Sequence, residues 1–263
     1  MNGSLGVEKA MEQDRTMNDD ELQRYSRQIM LPDFDVAGQE RLLSAKVLLI
    51  GAGGLGSPIA LYLGAAGIGR FTIVDDDDVD SSNLQRQIAH REKDIGVNKA
   101  VSAAASVRAL NPAAEVTAIE HRLAEPELSL QISAADIVVD ATDNAESRYS
   151  LNAACWQAGK PLVSGAAIRW EGQVSVFDPN QPSSPCYQCL YPELDAGAAL
   201  NCAENGVMAP LVGVIGSLQA LETIKHLATG GSSLVGTVVF FDGKYGEWQR
   251  IKLTKNPSCP VCA

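Results

Sequence analysis

From residue 46 onward, short apolar runs rich in β-branched residues alternate with longer stretches of helical spacing. Lys46-Val-Leu-Leu-Ile50 precedes a helical stretch from Ser57, and Arg70-Phe-Thr-Ile-Val74 precedes another from about Asn98 to Leu110. Glu115-Val-Thr-Ala-Ile119 and Asp136-Ile-Val-Val-Asp140 follow. Strand and helix in alternation predict a parallel sheet covered on both faces, because each parallel pair needs a crossover long enough to hold a helix. The first helix carries start signals, with Ser57 placed to N-cap and Pro58 in the first turn, and Gly67 and Gly69 mark its end. Asn111-Pro112 stops the second.

Past Asp140 the alternation loosens. The chain runs through Leu162 to Ile168, an alternating Gln173-Val-Ser-Val-Phe177, a loop rich in Pro, Cys and Gly, and an apolar segment read as a buried helix near 210–228. Two strand-like runs, Thr237 to Phe241 and Glu247 to Leu253, complete it. The prediction is an α/β fold: a Rossmann-like, mostly parallel sheet extended by mixed strands, with a C-terminal part stapled by four cysteines. Residues 1–20 read as a polar, poorly ordered leader. Residues 21–263 read as one domain, with a nucleotide-binding half over about 45–145 and a second half over 146–263.

Composition narrows the partners. The formal net charge of −11 argues against a nucleic-acid or anionic-membrane surface, since both need a basic footprint. Any phosphate must be held by local donors acting against that field. The most apolar stretch, Gly206 to Leu221, contains three glycines and falls short of the roughly 20 residues that span a bilayer. No apolar signal core opens the chain, so a cytoplasmic location with reduced thiols is expected. The six cysteines then point to metal binding or catalysis more than to disulfides.

Gly51-Ala-Gly-Gly-Leu-Gly56 follows a predicted strand and opens a predicted helix, the context in which a glycine motif cradles phosphate. Gly51 permits the tight turn, Gly53 lets the backbone approach phosphate oxygens, and Gly56 allows close packing of helix on strand, with Gly54 counted among the nucleotide-binding glycines. The helix N-terminus adds unpaired N–H groups and the positive end of a dipole. Asp75 closes the next strand nineteen residues after Gly56, where a carboxylate can accept hydrogen bonds from ribose hydroxyls. Asp76 and Asp78 beside it read as a solvated turn.

A nicotinamide enzyme would share this loop and Asp75. It would not need the charged groups nearby: Arg24-Tyr-Ser-Arg-Gln28, Ser82-Asn-Leu-Gln-Arg-Gln87, Lys99 and Asp140-Ala-Thr-Asp-Asn144. Attack of a carboxylate on the α-phosphate of ATP does need them, because an anion approaches a polyanion and pyrophosphate leaves. Each residue keeps a plainer reading: Arg27 as a surface helix residue, Lys99 as a solvated first-turn lysine, Asp143 as a helix N-cap. The histidines, His90, His121 and His226, stand in no nucleophile or metal pattern and read as structural.

Cys186-Tyr-Gln-Cys189 and Cys259-Pro-Val-Cys262 supply four thiolates at spacings suited to tetrahedral Zn²⁺. Four protein ligands leave no open position, so the site reads as structural, with a redox dithiol as the alternative. Cys155 lies in an apolar helical stretch and is assigned to the core. Cys202 stands in a polar loop, where a thiol is either inert or able to attack an acyl adenylate.

From about Asp19 to Cys262 the chain resembles the E1-like family of ubiquitin-like-protein-activating adenylyltransferases, whose bacterial members serve molybdopterin and thiamine biosynthesis. The resemblance rests on Tyr25-Ser-Arg-Gln, the glycine loop, Ser82-Asn-Leu-Gln-Arg-Gln, Asp140-Ala-Thr-Asp-Asn, both Cys-x-x-Cys pairs and Gly206-Val-Met-Ala-Pro, and it favours the molybdopterin branch. It implies ATP-dependent adenylylation of the C-terminal glycine of a small sulfur-carrier protein ending in Gly-Gly. In that reading Asp75 holds the ribose, Asn83 sits beside the phosphates, Arg86 and Lys99 contact them, and Asp143 coordinates Mg²⁺. Arg27 reaches into the partner's site of a homodimer, and sulfur comes from a separate donor. For Cys202 the resemblance is divided: a covalent role in the thiamine branch, chemistry that ends at the adenylate in the molybdopterin branch. Two rival functions share parts of the pattern, an NAD-dependent oxidoreductase and a non-catalytic scaffold that only binds the carrier.

Overall fold

The computed structural model describes residues 16–192 and 206–263. Cys202 and most of the polar leader lie outside the described residues. The first helix, α1 (Asp19–Ile29), begins inside the stretch read as leader, because Asn18 and Glu21 form a reciprocal capping box. A second helix, α2 (Asp35–Ser44), precedes the first strand.

Eight strands form one sheet: β1 (Lys46–Ile50), β2 (Arg70–Val74), β3 (Glu115–Ile119), β4 (Ile137–Asp140), β5 (Leu162–Ile168), β6 (Glu171–Phe177), β7 (Thr237–Asp242) and β8 (Glu247–Lys252). Their spatial order is β3-β2-β1-β4-β5-β6-β7-β8. The pairings among β1 to β5 are parallel and those from β5 to β8 antiparallel. This is the expected extension by mixed strands. After β1 the chain turns outward to β2, and only after β3 does it return to the other side of β1, which makes a switch point between β1 and β4.

Helices cover both faces, and the two-residue period of the strands decides which side chain meets which layer. Val47 and Leu49 face a core shared with α3 (Gly56–Ala66), α4 (Lys99–Leu110) and α8 (Ala209–Thr229). Leu48 faces the opposite core, built with α5 (Glu127–Ala134), α6 (Ala145–Ala158) and α7 (Tyr187–Leu190). Cys155 is buried in that second core, as its apolar neighbours predicted. β8 is exposed along its whole length and carries Glu247, Arg250 and Lys252, the charged dressing of a sheet edge.

Two local expectations are corrected. Ser57 does not cap α3: the helix begins at Gly56, Leu55 occupies the cap position without a side-chain bond, and the Ser57 hydroxyl is buried with no protein partner. A left-handed Gly67 does end that helix, at φ 93°. The apolar helix α8 is buried on one side only; Val214 and Leu221 are 39% and 51% exposed. Among the described residues, no helix is long and apolar enough to cross a membrane.

Candidate nucleotide site

The loop between β1 and α3 sits at the carboxyl edge of the sheet, beside the switch point. Gly51 adopts φ 96°, a conformation that favours glycine. A Cβ on Gly56 would lie 2.0 Å from the Gly51 carbonyl oxygen. The third glycine is therefore required by the loop's contact with itself, a closer constraint than the helix-on-strand packing expected. Gly53 has only the Gln87 amide within reach, at 3.6 Å, and stays open toward the cavity.

That cavity, of about 420 Å³, is lined by the glycine loop and by the ends of β1, β2 and β4. Asp75, Asn83, Arg86, Lys99 and Asp143 all line it, drawn together from separate loops. Arg27 does not: it is exposed on α1, while its motif neighbours serve packing. Tyr25 is buried and its hydroxyl accepts from Asn111; the Gln28 amide donates to Gln39 and to the Ala66 carbonyl.

Asp75 is fixed by backbone donors, with Oδ2 accepting from the Ala52 N–H at 2.7 Å and Oδ1 from Asp77 N–H at 2.9 Å. Burial raises its carboxyl above the ordinary value, while those two N–H groups and the nearby Lys99 charge pull the other way. Lys99, in the first turn of α4, is buried rather than solvated, and its Nζ donates to Asp77 Oδ2 at 2.7 Å. Asp76 and Asp78 are exposed, as a solvated turn requires. Arg86 is held loosely, through Nη1 to the Ser82 carbonyl at 3.2 Å and to the Gln85 side chain at 3.3 Å.

The acidic motif after β4 divides its labour. Asp140 is fully buried and accepts from Thr142 N–H, from the Thr142 hydroxyl at 2.7 Å and from the Ser164 hydroxyl at 2.9 Å. Asn144, not Asp143, caps α6 by accepting from Ser147 N–H at 2.9 Å. Asp143 is thus exposed at the rim of the cavity with no capping duty.

Sequence reasoning missed two cations on the wall, Arg122 and Arg148. Arg148 donates to the Thr142 carbonyl at 2.7 Å. Its signal was available: it stands four residues after the cap Asn144, on the helical face over the motif. With Arg86 and Lys99, four cations line a cavity that also holds Asp75, Asp76, Asp77 and Asp143, so this region escapes the acidity of the whole chain.

At the far end, the sulfurs of Cys186, Cys189, Cys259 and Cys262 lie within 4.8 Å of one another. The closest pairs are Cys186 with Cys259 at 3.5 Å and Cys189 with Cys262 at 3.3 Å, too long for disulfides and suited to four corners of one tetrahedral ion. Burial pushes the Cys186 thiol up to about 11. Burial also opposes ionisation of Cys259, but the N–H groups of Val261 and Cys262 and the neighbouring thiols outweigh it and bring that thiol down to about 7.

A doubly covered, largely parallel sheet with a glycine-loop cavity at its switch point defines a Rossmann-type α/β protein. Residues 25–261 match the profile of the ThiF family. The chain belongs to that family. It is 47% identical over 246 residues to the molybdopterin-synthase adenylyltransferase of Escherichia coli, covering 94% of this chain and 98% of that one. It is 44% identical over 243 residues to the SAMP-activating enzyme E1 of Haloferax volcanii, covering 92% and 89%. In fold it is similar to a crystal structure of E. coli MccB with AMPCPP and MccA, with TM-score 0.77, 22% identity and coverage of 91% and 74%.

Proposed function

We propose that this protein adenylylates the C-terminal glycine of a small ubiquitin-like sulfur-carrier protein, using ATP, as activation for thiocarboxylate formation. The observation that carries the reading is the meeting of the glycine loop, Asp75, Asn83, Arg86, Lys99 and Asp143 around one cavity, in a chain nearly half identical to a molybdopterin-synthase adenylyltransferase.

The chemistry asks little of acid–base groups. A terminal carboxylate is ionised at neutral pH and attacks the α-phosphorus directly; a carboxyl oxygen–phosphorus bond forms, and the bond to the β-phosphate bridging oxygen breaks with its electron pair leaving on pyrophosphate. The glycine loop and the start of α3 present N–H groups to the phosphates, and Asp75 takes the ribose hydroxyls. Arg86 and Lys99 offset the charge that grows on pyrophosphate. Asp143 has the hard oxygen donor and the rim position that suit Mg²⁺, which when bound neutralises phosphate charge. The loose tethering of Arg86 to neutral acceptors leaves its guanidinium able to turn to an anion.

Arg27, exposed and outside its own chain's cavity, supports a homodimer in which it completes the partner's site. The four clustered sulfurs support a structural zinc ion, and keeping them reduced supports a cytoplasmic location. Sulfur comes from a separate donor. For Cys202 we keep the adenylate as the end of the chemistry, with molybdopterin biosynthesis as the pathway.

The test is ATP–pyrophosphate exchange with purified carriers ending in Gly-Gly. Exchange that depends on the carrier and on its terminal glycine is expected; exchange with no carrier, or tight binding of NADH in place of ATP, contradicts the reading.

A further inference from the structure

One residue of the glycine loop is gripped from two sides, by the ribose-binding Asp75 and by His90, to which the reaction gives no role. The Ala52 N–H donates to Asp75 Oδ2 at 2.7 Å, and the Ala52 carbonyl lies 2.9 Å from His90 Nε2. A carbonyl only accepts, so Nε2 carries the proton. On the other side of the ring Nδ1 lies 2.9 Å from the Ser102 hydroxyl of α4, whose oxygen is also 3.2 Å from Asp94 Oδ2. The hydroxyl has one hydrogen, which goes either to Asp94 Oδ2 or to Nδ1; with the ring neutral, Nδ1, the nearer of the two, accepts it, and that bond fixes the tautomer that faces Ala52. His90 is 5% exposed and Ala52 fully buried, so no water replaces either bond without rearrangement.

The two bonds bracket the peptide between Gly51 and Gly53, the part of the loop with the least conformational restraint of its own. We propose that His90 is a positioning residue for the nucleotide: through Ala52 it holds the glycine loop's N–H groups and Asp75 in their binding arrangement, and Ser102 sets the ring that does so. His90 does not line the cavity. Burial pulls the imidazole below its ordinary value, Lys99 adds to that, and Asp94 and the Ala52 carbonyl oppose it; the ring is neutral at pH 7. The inference rests on the adenylylation reading, and it concerns binding of ATP ahead of its reaction.

The experiment measures the dissociation constant for ATP by calorimetry, and KM for ATP and kcat in pyrophosphate exchange, for wild type, His90→Asn, His90→Gln and Ser102→Ala. A glutamine amide reaches the Ala52 carbonyl as Nε2 does, whereas an asparagine amide stops near the Nδ1 position. His90→Asn is expected to weaken ATP about tenfold or more, with kcat within about threefold, as befits a buried carbonyl left unpaired. His90→Gln is expected to recover most of that loss, and Ser102→Ala, which removes only a hydroxyl, to fall between them. A general folding defect lowers kcat by lowering the active fraction and leaves the dissociation constant of the folded remainder unchanged. Equal ATP affinity in wild type, His90→Asn and Ser102→Ala overturns the inference alone. A wild-type protein that binds no ATP overturns both the inference and the reading beneath it.

Discussion

At Gly56 a single methyl group decides whether the loop exists. Its Cβ would meet the Gly51 carbonyl oxygen at 2.0 Å, and backbone cannot give way as a flexible side chain does. Gly56→Ala is expected to keep a folded protein, read by circular dichroism, while ATP binding falls at least about a hundredfold, the scale on which small displacements act in positioned sites. Unchanged ATP affinity would show that the loop does not bind phosphate. The glycines and Asp75 were legible because their spacing between strand and helix has a physical meaning. Asp140 and Asn144 were not, since the sequence shows an acidic motif without showing which oxygen is buried beneath Ser164 and which is consumed by a cap. Lys99 was singled out as a phosphate contact, but its burial was not legible: a first-turn lysine gives no sign in sequence of the Asp77 carboxylate set against it at 2.7 Å.

Among elements, the β-α alternation was readable because each apolar run had the length and branching of a strand and the first two crossover helices, α3 and α4, stop at Gly67 and before Pro112. Helix α5, which has Ala135 at its C-cap and no such signal, was not read. The α8 helix illustrates the limit. Its first half is apolar, so hydropathy predicts burial all round, whereas α2, α3 and strands β5 and β6 cover one side and leave Val214 and Leu221 exposed. The cysteine staple acts at the same scale, joining α7 to the chain end across seventy-three residues. Tyr187, next to Cys186, packs edge-on against Tyr149 of α6 and Phe177 of β6, so loss of the ion should loosen the layer on which α6 rests. One zinc ion per chain is expected by elemental analysis. Cys259→Ser should lose the metal and lower the thermal midpoint by several degrees, since a structural ion contributes folding energy directly. Full metal loss with an unchanged midpoint would show that the staple holds nothing.

The molecule as a whole is strongly acidic, yet in the nucleotide cavity four cations balance four carboxylates, and this contrast is the electrostatic basis of the account. Stability carries a separate charge signature. Burial lowers both His90 and His226, so the unfolded chain binds their protons more readily than the folded one. Unfolding therefore takes up protons as pH falls through the ordinary histidine value of 6.5, and stability declines in that window. The urea midpoint is expected to fall between pH 7.5 and 5.5, and to fall less in a His90→Gln, His226→Gln double variant; equal slopes would assign the loss to other groups. The most direct test of the central claim is carrier-dependent ATP–pyrophosphate exchange by Arg86→Ala and by Asp143→Ala, with folding checked in each. Loss of more than about a hundredfold in kcat/KM is predicted for both, the scale on which removing one preorganised charge acts on a transition state. Exchange at wild-type rates in the two variants would contradict the assignment of this cavity to a reacting triphosphate.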